Sequence, residues 1–263
     1  MNSSLPVGIY VHFPFCERKC AYCDFPSYAG QEGRREEYID VLLAEIRERR
    51  QTTGPLSVDT VFLGGGTPSL MEPRQVAVVL TALRAAYDIQ PEAEITCEMN
   101  PGSVSPGFLD MLRDQGVNRL SLGAQSADEH ELRFLGRVHT WRQVVASVDL
   151  VRGMGFHNIN LDLMTALPGQ RHDTLFRSLQ AALALEPSHL SCYSLIIEEG
   201  TPFHQRFLKG GLDLPGEEEE RAMYWDTAAL MMQQGYEHYE ISNFALPGRR
   251  CRHNENTWRY RDY

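Results

Sequence analysis

The stretch VGIYVHFPFCERKCAYCDF, residues 7–25, joins two kinds of segment. Val7 to Val11 is a short β-branched run of the kind that forms a strand. Directly after it, in a loop opened by His12, Phe13 and Pro14, come Cys16, Cys20 and Cys23, three thiols spaced four and three residues apart. In a parallel α/β sheet ligand chemistry gathers at the carboxyl ends of the strands, so a strand that runs into a loop of thiols fits that class.

The unit repeats along the chain. Runs at Thr60 to Leu63, Glu94 to Glu98, Arg119 to Leu122, Asn158 to Leu163 and His189 to Ile197 complete a predicted set of six strands. Between the first two, Tyr38, Ile39, Leu42, Leu43 and Ile46 mark one face of a helix, with Glu37, Asp40, Glu45 and Arg47 on the other. Similar helical patterns follow Pro73, Pro106, Thr140 and Thr174. Alternating strands and helices imply a parallel sheet with right-handed crossovers, either an open doubly wound sheet or a complete or partial barrel. After the sixth strand, Glu217 to Glu220 open a helix to about Gln234, and Tyr236 to Phe244 alternates like a strand. No helix or strand is expected around Cys251, His253, Asn254 and Trp258.

Composition narrows the function. The 263 residues carry 25 Lys plus Arg against 35 Asp plus Glu, a formal charge of -10, which leaves no basic surplus for a nucleic-acid backbone. Six cysteines are too few for a disulfide-stapled secreted domain, and no charged-then-apolar leader precedes the first strand, so a cytoplasmic protein is expected. No apolar run approaches the roughly 18 to 20 residues of a membrane-spanning helix.

Three thiolates on one loop hold either zinc or an iron-sulfur cluster. A closed zinc site needs a fourth ligand, for which His12 is the nearby candidate, whereas a four-iron cluster with three thiolates keeps one iron open. After the second strand stands Gly64-Gly65-Gly66-Thr67-Pro68-Ser69. Its glycines either bring backbone N-H groups close to a ligand or make a tight strand-to-helix turn. Cys97 and Cys192 fall inside predicted strands and read as small buried hydrophobes.

The cysteine loop and the glycine run together resemble the radical S-adenosylmethionine (SAM) superfamily, with its C-x-x-x-C-x-x-C loop after strand one and G-G-G-T-P-like stretch after strand two. Tyr10-Val-His12-Phe-Pro-Phe-Cys16 and Tyr22-Cys23-Asp24-Phe25 resemble the oxygen-independent coproporphyrinogen III oxidase-like family more closely. Glu98-Met-Asn-Pro101, Leu120 to Gln125, Leu135-Gly-Arg137-Val-His139, Asp162-Leu163 and Leu167 to Gln170 extend the likeness over nearly the whole chain.

The resemblance implies a partial, open (β/α)6 barrel in residues 1–212 and, in 213–263, the start of a truncated C-terminal region. It implies that Cys16, Cys20 and Cys23 ligate a [4Fe-4S] cluster whose fourth iron is open to SAM. It places SAM against Tyr10, Gly65, Gly66, Thr67 and Glu98, with Tyr22 beside the cluster. Gln125, Arg137 and Asp162 fall where the oxidase lines its substrate cavity and a second SAM. Glu98 also suits an edge salt bridge, and Arg137 suits a structural pair with Asp162 or Glu98.

Two features favour the HemW-like haem-chaperone branch of that family. Phe25 stands where the oxidase has a further cysteine, and few residues precede Val7. This branch binds haem and passes it to an acceptor, and whether it is an enzyme is left open. The alternative is the oxidase, which converts propionates to vinyl groups through a 5'-deoxyadenosyl radical. Cys251-Arg-His253-Asn254-Glu-Asn-Thr257-Trp258 resembles the branch's H-N-x-x-Y-W stretch with Thr257 in place of Tyr, which makes His253 a candidate haem ligand. The other reading of His253 is an exposed loop histidine beside a packing Trp258. Expected partners are haem or a porphyrinogen, an electron donor such as flavodoxin or ferredoxin, and a haem acceptor.

Overall fold

The computed structural model describes residues 5–262. The chain begins with β1 (Val7–Phe13) and two short strands, β2 (Phe15–Cys16) and β3 (Tyr28–Ala29), that pair with each other in parallel. A long α1 (Arg35–Thr53) then crosses to β4 (Ser57–Gly65), and α2 (Pro73–Ala86) leads to β5 (Asp88–Met99). The crossover continues through α3 (Pro106–Asp114), β6 (Arg119–Gln125), α4 (Glu129–Leu135), α5 (Trp141–Gly153) and β7 (Ile159–Thr165). Next come α6 (His172–Leu183), β8 (His189–Ser194), α7 (Pro202–Leu208) and α8 (Glu217–Gln233). A hairpin of β9 (Glu237–Glu240) and β10 (Asn243–Ala245) precedes a final helix, α9 (Arg252–Trp258).

The main sheet has the order β1-β4-β5-β6-β7-β8-β10-β9. Its first six strands are parallel, and the β10–β9 hairpin extends it in antiparallel fashion beyond β8. Among the described residues no pairing joins β1 back to β9, so the sheet stays open. At the β1 edge, the Gly8 N-H donates to the Asp262 carbonyl at 3.0 Å. A groove of about 640 Å³ lies there between β1 and α1, lined by Ile9, Leu42, Ile46 and Leu83 among others.

Period-two alternation divides the sheet into two unlike faces. Leu63, Ile95, Leu120, Leu122, Leu161 and Leu190 are buried and share one apolar core with Val79 and Leu80 of α2, Leu112 of α3, Val148 of α5 and Leu179 of α6. The intervening residues, Thr60, Thr96, Ser121, Asn160, Asp162, His189 and Ser191, carry the polar groups of the inner face. Most of these are buried and bond to one another. Asn160 Nδ2 donates to Ser121 Oγ and to Asp162 Oδ1, both at 2.8 Å. His189 Nδ1–H donates to Asn160 Oδ1, and its Nε2 accepts from the Tyr239 hydroxyl, both at 2.6 Å.

The six expected strands, the last ending at Ser194 instead of Ile197, and the helices after residues 34, 72, 105, 140, 171 and 216 stand where the pattern put them. The carboxyl end differs. The alternation at 236–244 is a hairpin broken at Ile241 and Ser242, because Glu240 Oε2 accepts from the Ser242 N-H at 2.9 Å and turns the chain. Residues 252–258, expected to be irregular, are helical. The reason is Glu94 on β5, a buried carboxylate that accepts from the N-H groups of Arg252 and His253, each at 3.2 Å. It satisfies the first-turn donors that a helix otherwise leaves open. Asn256 Nδ2 adds a bond to Asp59 Oδ1 at 3.1 Å. No helix among the described residues is long and apolar enough to cross a membrane.

Glu94→Ala should therefore loosen α9. We expect a stability loss of roughly 1–3 kcal/mol, read as a lower urea midpoint at unchanged slope, with faster exchange of the Arg252 and His253 amides. An unchanged midpoint would contradict the clasp.

Candidate cluster and cofactor site

The cysteine loop is fixed by backbone bonds on both sides. On one side, the N-H groups of Gly66 and Thr67 donate to the carbonyls of Phe13 and Phe15 at 2.7 and 2.8 Å. A Cβ on Gly66 would lie 2.6 Å from the Phe15 oxygen, and one on Gly65, at φ 104°, would lie 2.4 Å from the His12 ring. The glycine run is needed because the cysteine loop rests directly on it. Of the two readings of the glycine run, this geometry favours the tight turn, since the Gly65 N-H is also committed, to Glu98 Oε2 at 3.1 Å. On the other side, Ala21 N-H donates to the Leu135 carbonyl at the end of α4, and Phe203 N-H of α7 donates to the Ala21 carbonyl.

So held, Cys16, Cys20 and Cys23 are half-buried free thiols that line one cavity of about 160 Å³. Tyr22, Gly65, Gly66, Thr67, Glu98, Gln125, Arg137 and Asp162 line it too, at the carboxyl ends of β4, β5, β6 and β7 and on the loops beside them. Tyr10 and His253 do not. Tyr10 stacks on Phe62 with centroids 6.0 Å apart and donates from its hydroxyl to His12 Nδ1 at 3.2 Å. His12 Nε2–H donates to the Pro26 carbonyl at 2.9 Å. With both ring nitrogens engaged, His12 braces the loop and leaves no lone pair for zinc.

The cavity's polar groups are set deliberately apart from ordinary ion pairing. Arg137 makes no salt bridge with Asp162 or Glu98. Its Nη2 donates to the Gly123 carbonyl at 2.8 Å and to Asn100 Oδ1, and its Nη1 points at Cys20 Sγ from 3.6 Å. The Thr67 hydroxyl donates to Cys16 Sγ at 3.7 Å. Glu98 has no cation within ion-pair range among the described residues. Burial first, then the charge of Asp162, pushes its carboxyl up to about 8 against the opposing Gly65 N-H. Burial also raises Asp162, against bonds from Asn160 and Ser121. Two carboxylates without a cation suit a ligand that brings hydroxyls or an ammonium. Gln125 sits in the left-handed region at φ 66°, beside a register shift between β6 and β7, and its strained backbone aims it into the cavity.

His253 lies near the amino-terminal ends of the strands, away from the cysteines. It is buried on α9, with Nδ1 2.9 Å from Thr60 Oγ1 and its ring stacked on Phe62 at 5.2 Å. Burial and Arg119 push its imidazolium down to about 4, so the ring is neutral. This corrects the exposed-loop reading. Cys251 is buried as well, its thiol pushed up to about 12 by burial. Asn100, which lies within the quoted Glu98-Met-Asn-Pro101 stretch, was given no part from sequence, yet it lines the cavity and aims Arg137.

The raised carboxyl of Glu98 has a signed consequence in the protein without ligands. The folded state binds a proton that the unfolded chain releases near pH 4.5, so the stability tied to this proton is full below that pH. It is lost as the pH rises towards 8. We expect Glu98→Gln to gain on the parent by roughly 2–4 kcal/mol between pH 5 and pH 8 in paired urea titrations. Parallel pH curves for the two proteins would refute the raised value.

The Radical SAM superfamily profile matches residues 10–182. Heme chaperone HemW of Bacillus subtilis (strain 168) is 39% identical over 255 residues, covering 97% of this chain and 67% of the relative. Heme chaperone HemW of Escherichia coli (strain K12) is 38% identical over 260 residues, covering 98% and 68%. The chain thus spans about two thirds of the length of these relatives. Among solved structures, coproporphyrinogen III oxidase (HemN) from Escherichia coli, a radical SAM enzyme, superposes with a TM-score of 0.84 at 28% identity, over 93% of this chain and 56% of that one.

The superfamily implies a [4Fe-4S] cluster and SAM, and the donor set that lines the cavity suits both. Among the described residues no three His, Cys, Asp or Glu side chains converge on a single metal ion. A cubane cluster needs no such convergence, because each thiolate takes a separate iron. The half-buried Arg137, with Nε unbonded and no carboxylate in ion-pair range among the described residues, suits an anionic thiolate cluster beside it. From the cysteine loop, the open parallel sheet and these likenesses together, the chain belongs to the radical SAM superfamily and, within it, to the HemW family.

Proposed function

We propose that this chain is the radical SAM core of a haem chaperone, which carries a [4Fe-4S] cluster and SAM, binds haem and delivers it to an acceptor protein. The observation that carries this reading is the likeness to HemW relatives at 38 to 39% identity across nearly the whole chain, against 28% for the oxidase. Phe25 supports it. Its ring is 57% exposed at the end of the cysteine loop, where the oxidase pattern calls for another thiol.

When bound, the cluster supplies an electron and an open iron to SAM. The protein's own part is positional. Cys16, Cys20 and Cys23 would hold the cluster, Gly65, Gly66, Thr67 and Glu98 would meet SAM, and Gln125, Arg137 and Asp162 would line the rest of the cavity. Tyr10 supports the site from β1 through its bond to His12, and Tyr22 packs beside the thiols. Six free cysteines suit a reducing compartment, here the cytoplasm. An electron carrier of the flavodoxin or ferredoxin type is the expected donor. His253 serves as a haem ligand in this reading only if α9 moves, since its ring is held by Thr60 and Phe62.

The test is a haem titration of anaerobically reconstituted protein, following the Soret band, beside an anaerobic assay with coproporphyrinogen and SAM. Saturable, near-equimolar haem binding without conversion of the porphyrinogen is expected. Vinyl-group formation would instead establish the oxidase. His253→Ala should keep haem binding if the site lies at the thiol end of the barrel, and lose it if α9 supplies the ligand.

A further inference from the structure

The three loop thiols stand in unequal surroundings. Cys16 Sγ receives the Thr67 hydroxyl at 3.7 Å, and Cys20 Sγ receives Arg137 Nη1 at 3.6 Å. Among the described residues no side chain donates a hydrogen bond to Cys23. Arg137 is not placed there by chance of rotamer. Its Nη2 is anchored by the Gly123 carbonyl and by Asn100, whose own N-H donates to Ser69 Oγ at 3.2 Å and whose carbonyl accepts from Ser103 Oγ at 2.7 Å. Gly136, at φ 79°, lets the chain turn so close that a Cβ there would stand 3.7 Å from Cys20 Cα. With no carboxylate in ion-pair range among the described residues, this half-buried guanidinium has Tyr22 and the Cys20 thiol among its partners, and its charge is matched by the thiolates and what they hold.

Donors and positive charge directed at cluster sulfurs favour the more negative, reduced state and so raise the potential. We propose that Arg137, aimed by the positioning residue Asn100, together with Thr67 sets the reduction potential of the cluster by donating to the sulfurs of Cys20 and Cys16. The inference rests on the cluster reading above. The step is uptake of one electron, [4Fe-4S]2+ to [4Fe-4S]+, from a low-potential flavin or iron-sulfur carrier that is oxidised by one electron. No bond breaks, and Arg137 and Thr67 keep their protons.

The experiment uses reconstituted full chains carrying Arg137→Gln, Arg137→Lys, Asn100→Leu, Thr67→Val or Thr67→Ser. Iron and sulfide are assayed first, and then potentials are read by EPR with dithionite poising and no SAM, so that altered SAM binding does not contribute. Arg137→Gln should raise the oxidised-to-reduced ratio at fixed poise about tenfold, a 59 mV shift for a one-electron couple. Asn100→Leu should shift in the same direction. Thr67→Val should change the ratio a few-fold, Thr67→Ser should restore the parent value, and Arg137→Lys should restore part of it. Variants with full clusters at the parent potential would overturn the inference. If Arg137→Gln fails to assemble, the Val and Ser variants at Thr67 decide it alone. A parent protein without iron and sulfide would sink the cluster reading itself, a distinct result.

Discussion

Two backbone hydrogen bonds organise this molecule: the N-H groups of Gly66 and Thr67 on the carbonyls of Phe13 and Phe15. They require the end of β4 to meet the turn after β1 with no side chain between. That contact is why the three thiols project over the carboxyl ends of the strands instead of trailing into solvent. Removing the glycines would separate the cysteine loop from the carboxylates before any cofactor chemistry were considered. The Gly65 N-H carries the constraint one strand further, since its bond to Glu98 ties the same turn to β5.

The second constraint is the polar inner face. Parallel strands covered on both sides are usually apolar throughout. Here many of the alternate residues are polar and bonded to one another, as Asn160 is to Ser121, Asp162, His189 and Ser191. The arrangement costs apolar burial and gains a rigid, water-poor shaft beneath the cavity. Rigidity is what buried networks supply when all members are bonded. Glu98 stands at the end of this face, where burial and the nearby charge of Asp162 both disfavour its ionised form.

Much of this was legible in the residues. The six strands and six longer helices declare themselves through periodicities that local chain geometry imposes, and the thiol and glycine spacings mark where chemistry sits. The helices α4, α7 and α9 were not visible, because each has seven residues, too few for a periodic stripe. Their stability comes from partners far away in sequence. The glycine run leaves two readings open for a similar reason: which N-H groups are free depends on what packs against them, and Phe13 and Phe15 lie about 50 residues earlier. His253 was noticed for its motif, but its depth beneath β1 and β4 follows from tertiary packing that no local pattern encodes.

The clasp between Glu94 and α9 spans 158 residues of chain. A polypeptide leaving the ribosome amino-terminus first, at about 5–20 residues per second, would carry that acidic side chain for roughly 8–30 s before its helical partner emerged. Throughout that interval the lower end of the sheet is unsealed, with Thr60, Thr96 and Arg119 open to water. The order of synthesis thus brings out the partner that seals the base only after the thiol loop and its glycine seat have both emerged.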